Sequence, residues 1–485
     1  MTGGAAAGTN LSGPISGGRR LPVRRRNLTV TAHSRSPFTR RPGTCFGTTP
    51  NRPRRRPASP PTDPDRALAL AFTSSAPASA ATGAKVAAGR SRRLPWPHRA
   101  VLAGLTIGAA LIAGSDPSVE NETAPEQLSP AAGAAVAVGE HAPLRRETWV
   151  TPPVHAASVH GSAICNLPSG DLLAVWYGGT REGAADVALY TSRLAAGRRE
   201  WSQPTMVVDR AVAATELDRA VKKVGNAVVF PDRNGLVWMV YVSVSMGGWS
   251  GSSLNVKISR DEGRTWSESR RLTLNPFLNL STLVRNKPIL AADGRIGLPV
   301  YHELAFKFPQ MLWLTPGPDG SVKEYRVRNL PDKNGLIQPS IVPLDGDRVL
   351  MVLRDRSPER RMRAAYSEDN GWTWSEPVPT SLPNPDSAVD GLRLRDGRIL
   401  IVYNHAASGR ENLRLAMSAD AGRTWRPGPL IEAAVSKEYS YPFLVEGADG
   451  RIHLTYTWER KRIKHVEFNL AWLDRGPVGR EAVAQ

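Results

Sequence analysis

Two cysteines are all that 485 residues hold, Cys45 near the start and Cys165 further on, so no disulfide can staple the region that reads as folded. Cys165 lies in AICNLP with no cationic neighbour in sequence, which suits a small buried hydrophobe better than a reactive thiol. Long 3.6-period apolar patterns are missing from Pro143 onward, which excludes a helical domain. Metal-ligand spacings such as HxH or HExxH are missing too, so His155, His405 and His453 read as structural and no metal or other cofactor is implied. Acidic residues are scarce at the start: the first hundred residues carry Asp63 and Asp65 against 18 Lys and Arg, which places +16 of the formal +19 there. The remaining residues, with 45 basic and 42 acidic side chains, are nearly balanced. The basic groups sit among Pro, Gly, Ser and Ala in a stretch that cannot bury a core, so nucleic acid is not an expected partner.

Residues 1–89 read as a low-complexity basic tail. Next, RSRRLPWPHR is followed by the apolar run Ala100 to Gly114, the order of a signal peptide or, if uncut, a signal anchor over 90–114. The run is short for a membrane span, and the protein is expected to be exported, periplasmic or extracellular, touching a membrane only through that anchor. An export signal belongs near the start of a chain, so residues 1–85 are expected to precede the true start, with Val86 an alternative initiator. Residues 115–144 are a linker, 145–475 the folded domain and 476–485 a tail.

What fills 145–475 is short apolar runs between Gly, Asp and Asn turns: DLLAVWYG, LVWMVYVSV, RVLMVLR, RILIVYN and IHLTYTW. A turn motif recurs as Ser259-Arg-Asp261-Glu-Gly263-Arg-Thr265-Trp266, again from Ser367 to Trp374 and again from Ser418 to Trp425, with a decayed copy from Ser192 to Trp201. Asp can bond amides of its own turn, Gly supplies positive φ and Trp packs between sheets, so these boxes brace hairpins rather than catalyse. The gap of 108 residues between Trp266 and Trp374 is two steps of 54, which places a missing copy near Asp319-Gly320. Five repeats result, and strands within Ile452 to Trp472 pairing with N-terminal ones would close a sixth. The expected fold is all-β, a six-bladed β-propeller.

Three full boxes at blade spacing resemble the sialidase (neuraminidase) superfamily. The resemblance implies an arginine triad for a substrate carboxylate, a Tyr nucleophile activated by Glu, and an Asp general acid. A carboxylate on the anomeric carbon repels a charged nucleophile, which is why a neutral Tyr serves, and the planar fork of Arg suits a carboxylate. IQPSIVPLDGDRVLMVLRDR is similar to the segment bearing the Glu and the second arginine, which places Arg354. NHAASGRENLRLAMSADAGRTW resembles the stretch of the third, which places Arg410. KEYSYPFLVEGADGRIHLTYTW is similar to the nucleophile strand, and its Tyr-Ser pair suggests Tyr439. The first arginine gives way to His160, the activating Glu to Gln338, and the acid loop Gly178 to Asp186 offers Glu182 or Asp186, with Arg181 beside them.

Two arginines imply an anionic group on the substrate, and His160, Tyr439 and Glu182 could move protons in one pocket, with His160 as the base. Trp176, Tyr177 and Trp249 could stack on sugar or pack blades, and Tyr301, His302 and Glu303 are expected on the same face. The expected protein is a monomeric, exported sialidase-like glycoside hydrolase acting on an acidic carbohydrate. A uronic-acid polysaccharide lyase, favoured by His160 and the lost Glu, and a non-catalytic glycan-binding propeller, favoured by Gln338, stay open.

Overall fold

Hairpins whose second strand is apolar on both faces dominate the molecule: every residue of Val237–Val244, Val349–Asp355 and Ile399–Tyr403 is buried. Such a strand has no solvent side, so its sheet must be covered on both faces, as happens when sheets stack around an axis. The computed structural model describes residues 123–125 and 142–476, apart from 275–278, 305 and 332–334. The basic tail, the signal segment and most of the linker lie outside the described residues. Among the described residues no helix is long and apolar enough to cross a membrane.

Six antiparallel sheets form the blades of a propeller. Blades one to five span 158–208, 223–271, 282–329, 336–383 and 390–433. The sixth takes three strands from 439–468 and its outer strand, Arg145–Trp149, from the N-terminal side, where it pairs antiparallel with Arg462–Phe468. The ring is therefore closed by a seam joining the two ends of the domain. Trp472, expected in the last strand, instead lies in a short helix, Leu470–Leu473, capped by the Asn469 side chain.

The boxes do the local work assigned to them. Asp261 accepts from the Thr265 amide (2.8 Å) and hydroxyl (2.6 Å) and from Ser259 (2.7 Å), and Asp369 and Asp420 repeat the pattern. Burial, the largest single influence on Asp261, would raise its carboxyl, but those bonds together hold the Asp261 and Asp420 carboxyls down at about 2. Glycine is needed here twice over: Gly263 has φ 83°, and a Cβ on it would sit 2.7 Å from Leu173 of blade one. Gly320, in the turn expected to hold the missing copy, meets Ile258 of blade two in the same way. Each box thus also fixes how close its blade approaches the one before it. Trp176, Trp238 and Trp313 are dry, each withdrawing roughly 150–250 Å² from water.

Along the axis the innermost strands expose backbone groups with no further strand to pair with. Blade three answers with three consecutive polar residues. Arg285 donates to the carbonyls of Ser162 in blade one (3.2 Å) and Pro442 in blade six (3.1 Å). Asn286 donates to the Pro339 carbonyl (2.9 Å) of blade four and stands 3.4 Å from that of Val389, beside blade five. Lys287 pairs with the fully buried Asp390 of blade five (2.6 Å), whose other contacts are Ser340 (2.7 Å) and the Leu444 amide (2.7 Å).

Removing one partner of a buried pair strands the other charge. Lys287→Met should lower the unfolding free energy by about 3 kcal/mol in denaturant titrations, and adding Asp390→Asn should recover part of the loss. An unchanged midpoint for Lys287→Met would show that the axial pair is not structural.

Candidate active site

The inner strands of blades one, two, four and six break register at equivalent places, after His160, Gly225, Ile337 and Ser440. At each break one residue adopts positive φ: Gly161 (65°), Asn226 (34°), Gln338 (53°) and Tyr441 (54°). Arg285 and Ala388 hold the corresponding positions in blades three and five, which makes six equivalent backbone positions around the axis, five of them bearing side chains. Positive φ costs a non-glycine residue energy, and at these bulges the closed ring fixes the backbone around it. Two of the breaks are followed by proline, Pro339 and Pro442, tolerated because an axis-facing edge needs no ladder donor.

Tyr441 is the centre of the cluster. Its ring lies 4.2 Å from that of His160, and the guanidinium carbons of Arg285 and Arg410 stand 5.1 and 5.8 Å from its centroid. Arg354 donates to Asp386 (2.6 Å) and to the Gln338 side-chain oxygen (3.0 Å). Burial opposes the Arg354 charge, but Tyr441, Asp386 and Tyr301 outweigh it and push its pKa up. Gln338 and Asn226 both point their amide nitrogens at the Tyr301 hydroxyl, at 3.4 and 3.3 Å.

Ion pairs surround this centre. Asp386 joins Arg354 and, through its carbonyl, Arg410 (3.0 Å). Glu438 takes Arg410 (3.4 Å) and Arg460 (2.8 Å), and Arg460 continues to Glu182 (2.6 Å), which stands 4.0 Å from His160. Burial would raise Glu438, but the hydrogen bond and charge of Arg460, with Ser440 and Arg410, hold it below the usual carboxylate range. His160 is fully buried, and its ring nitrogens find no hydrogen-bond partner. Burial first, then the cations of Arg460, Arg410, Arg285 and Arg354, push its pKa well below 6.5. The ring is a neutral imidazole at ordinary pH. Among the described residues no group of three or more His, Cys, Asp or Glu is placed to hold a metal ion.

Residues 170–454, well over half the chain, match the BNR repeat-like domain. The chain belongs to the BNR repeat-like family. Solved structures similar to this BNR propeller include a Hadza microbial sialidase at 18% identity and TM-score 0.56, covering 66% of this chain and 67% of that one. The intramolecular trans-sialidase from Ruminococcus gnavus, in complex with oseltamivir carboxylate, is 15% identical with TM-score 0.54, over 67% and 97% of the two chains. A Penicillium chrysogenum alpha-L-arabinanase with arabinobiose is 15% identical with TM-score 0.51, over 69% and 100%. At such identities the likeness is one of fold, the propeller shared by these glycosidases. No curated protein matches the chain in sequence.

Of the residues singled out from sequence, the BNR propeller brings Arg354, Arg410, His160, Gln338, Tyr301 and Glu182 together around the axis. Tyr439 is a correction. Its ring packs in the apolar cluster of blades five and six with Leu413, Leu415 and Tyr456, and burial, with Glu432 and Glu459, pushes its hydroxyl up to about 12. Tyr441, two residues on, faces the arginines instead. His160, expected as the base, is held neutral by burial and by the four guanidinium groups around it. Arg181 and Asp186 are exposed, and Asp186 bonds Thr180 of its own loop (2.9 Å), leaving Glu182 as the loop's inward carboxylate. Trp249 lies over Gly225 and under the Lys223 ammonium (4.1 Å), roofing blade two. Trp176 packs inside blade one against His155 and Tyr190, whereas Tyr177 lies against His160 on the axial side. Cys165 is buried and free, its thiol pushed up to about 12 by burial.

Tyr441, Arg285, Arg460, Asp386 and Glu438 were not singled out from sequence. A signal for the first two exists: nine residues separate Gly161 from the turn glycine Gly170, Asn226 from Gly235, Arg285 from Gly294, Ala388 from Gly397 and Tyr441 from Gly450. Tyr441→Phe should abolish turnover of an accepted glycan with the thermal midpoint unchanged, while Tyr439→Phe should keep most of it. The reverse ranking, measured on the same substrate, would return the role to Tyr439.

Proposed function

We propose that this BNR propeller is an exported, sialidase-type glycoside hydrolase acting on an acidic glycan. What supports the reading most is Tyr441: a neutral oxygen nucleophile on the axis, beside three guanidinium groups and a neutral imidazole. Such a nucleophile suits an anomeric centre that carries a carboxylate, because a charged one would be repelled. Arg354 and Arg410 take the sugar carboxylate, exchanging it for the Asp386 and Glu438 contacts they make in its absence. Tyr441 attacks the anomeric carbon, its hydroxyl proton passes to the neutral His160 ring, and the glycosidic bond breaks. The proton taken by His160 passes through Glu182, 4.0 Å away, to the leaving oxygen, and water then attacks the anomeric carbon, releasing the sugar and returning a proton to Tyr441. Gln338 cannot take a proton; in this scheme it orients Arg354.

A second reading, a lyase acting on uronic-acid polymers, draws on the same His160 and Tyr441 pair, 4.2 Å apart between ring centroids. There the neutral imidazole removes the C5 proton, an arginine neutralises the carboxylate and the phenol protonates the leaving oxygen.

A panel of acidic glycans read by mass spectrometry separates the two. Hydrolysis adds one water per cleavage; a lyase gives an unsaturated product of unchanged total mass. With His160 neutral well below pH 6.5, activity should already be full at pH 6.5 and fall only in more acid solution. Arg354→Lys should cost about ten- to a hundredfold in kcat/KM, since an ammonium cannot copy the fork. No cleavage of any acidic glycan, or full activity in Arg354→Lys, would contradict the hydrolase.

A further inference from the structure

The amide of Gln338 has its polarity fixed from one side. Arg354 can only donate, so the Gln338 oxygen must face it, as it does at 3.0 Å. The Gln338 nitrogen then faces Tyr301 at 3.4 Å, and Asn226 presents a second amide nitrogen at 3.3 Å. The Tyr301 oxygen is therefore an acceptor from two amides, and its own proton is committed to neither. Burial above all, with Glu303 and Tyr441 adding to it against Gln338 and Arg354, raises the pKa of Tyr301, so the proton stays in place. The ring is buried and cannot turn to bulk water, and Gln338 bridges its hydroxyl to Arg354 in the cluster around Tyr441.

We infer that Tyr301 is a hydrogen-bond donor to an oxygen of the bound sugar, a specificity-determining residue beside Tyr441, and that Gln338 is what frees its proton. A carboxylate at position 338 would accept from Arg354 and Tyr301 alike and would draw that proton out of the pocket. The amide reverses the chain, which runs from Arg354 through Gln338 to Tyr301 and on to the ligand. The preferred ligand is a sugar with an acceptor oxygen, carboxylate, hydroxyl or ring, at the blade-three side of the axis. This inference rests on the glycan reading above for the identity of the ligand, but not for the direction of the proton.

Neutron diffraction from crystals of the deuterated protein tests the direction without any ligand. The deuterium on Tyr301 should point into the pocket, away from both amides. A deuterium aimed at Asn226 or at Gln338 overturns the inference. On a glycan that the protein turns over, Tyr301→Phe and Gln338→Glu should each lower kcat/KM about tenfold, and the double variant should lose no more than either single one, because both remove the same donor. Losses that multiply overturn it as well. If no acidic glycan is turned over by the wild type, the hydrolase reading falls while the neutron result still decides which way the Tyr301 proton points.

Discussion

A ring of sheets leaves its inner strands without partners, and the unpaired carbonyls at its centre must be satisfied in a dry place. Arg285, Asn286 and Lys287 meet that demand from one blade, reaching carbonyls or the Asp390 carboxylate in or beside blades one, four, five and six. The same contacts hold the site. Arg285 grips the Pro442 carbonyl just after Tyr441, and Asp390, braced by Lys287, grips the Leu444 amide two residues further on. The chain on the far side of Tyr441 is thus pinned by two polar bonds, which is how a bulged residue at positive φ keeps one orientation. Structure and site share one set of bonds.

Electrostatics in the pocket alternate rather than accumulate. Arg354, Asp386, Arg410, Glu438, Arg460 and Glu182 form a chain in which each guanidinium has a carboxylate of the protein beside it. Pairing of this kind pre-orients the forks while lowering the cost of keeping three cations close together. In the proposed reaction an arriving carboxylate would exchange with a resident one instead of filling a bare cationic hole, and specificity would depend on geometry more than on net charge. Arg285 hydrogen-bonds to carbonyls, with the Asp390 carboxylate acting on it through space, and lies 5.1 Å from the Tyr441 ring centroid.

The fold was legible because its signals are local. Each box holds its bonds within a few residues, so Ser259 to Trp266 names its own turn, and counting boxes counts blades. The closing seam was legible from what the repeats left over. Arg354 and Arg410 were legible because both lie at or beyond the ends of apolar second strands, and His160, Gln338 and Glu182 because they stand where the family pattern has other residues. Tyr439 and Tyr441 show where alternation fails, because a bulge inserts a residue and resets which side chains face the axis. Arg285 was hidden by the brevity of its strand, Thr282–Val284, which has too few residues to show a pattern. Arg460 stands at a hairpin tip and reaches the pocket only because the ring closes there, bringing Glu182 of blade one to meet it.

The axial cluster around Tyr441 is proposed to receive an acidic sugar. A crystal structure of Tyr441→Phe with an acidic glycan that the panel identifies tests it most directly. The carboxylate is expected on Arg354 and Arg410, with Asp386 or Glu438 released from at least one of them, and the anomeric carbon above the ring at position 441. A glycan seated on an outer groove, or one whose carboxylate faces away from both arginines, would contradict it.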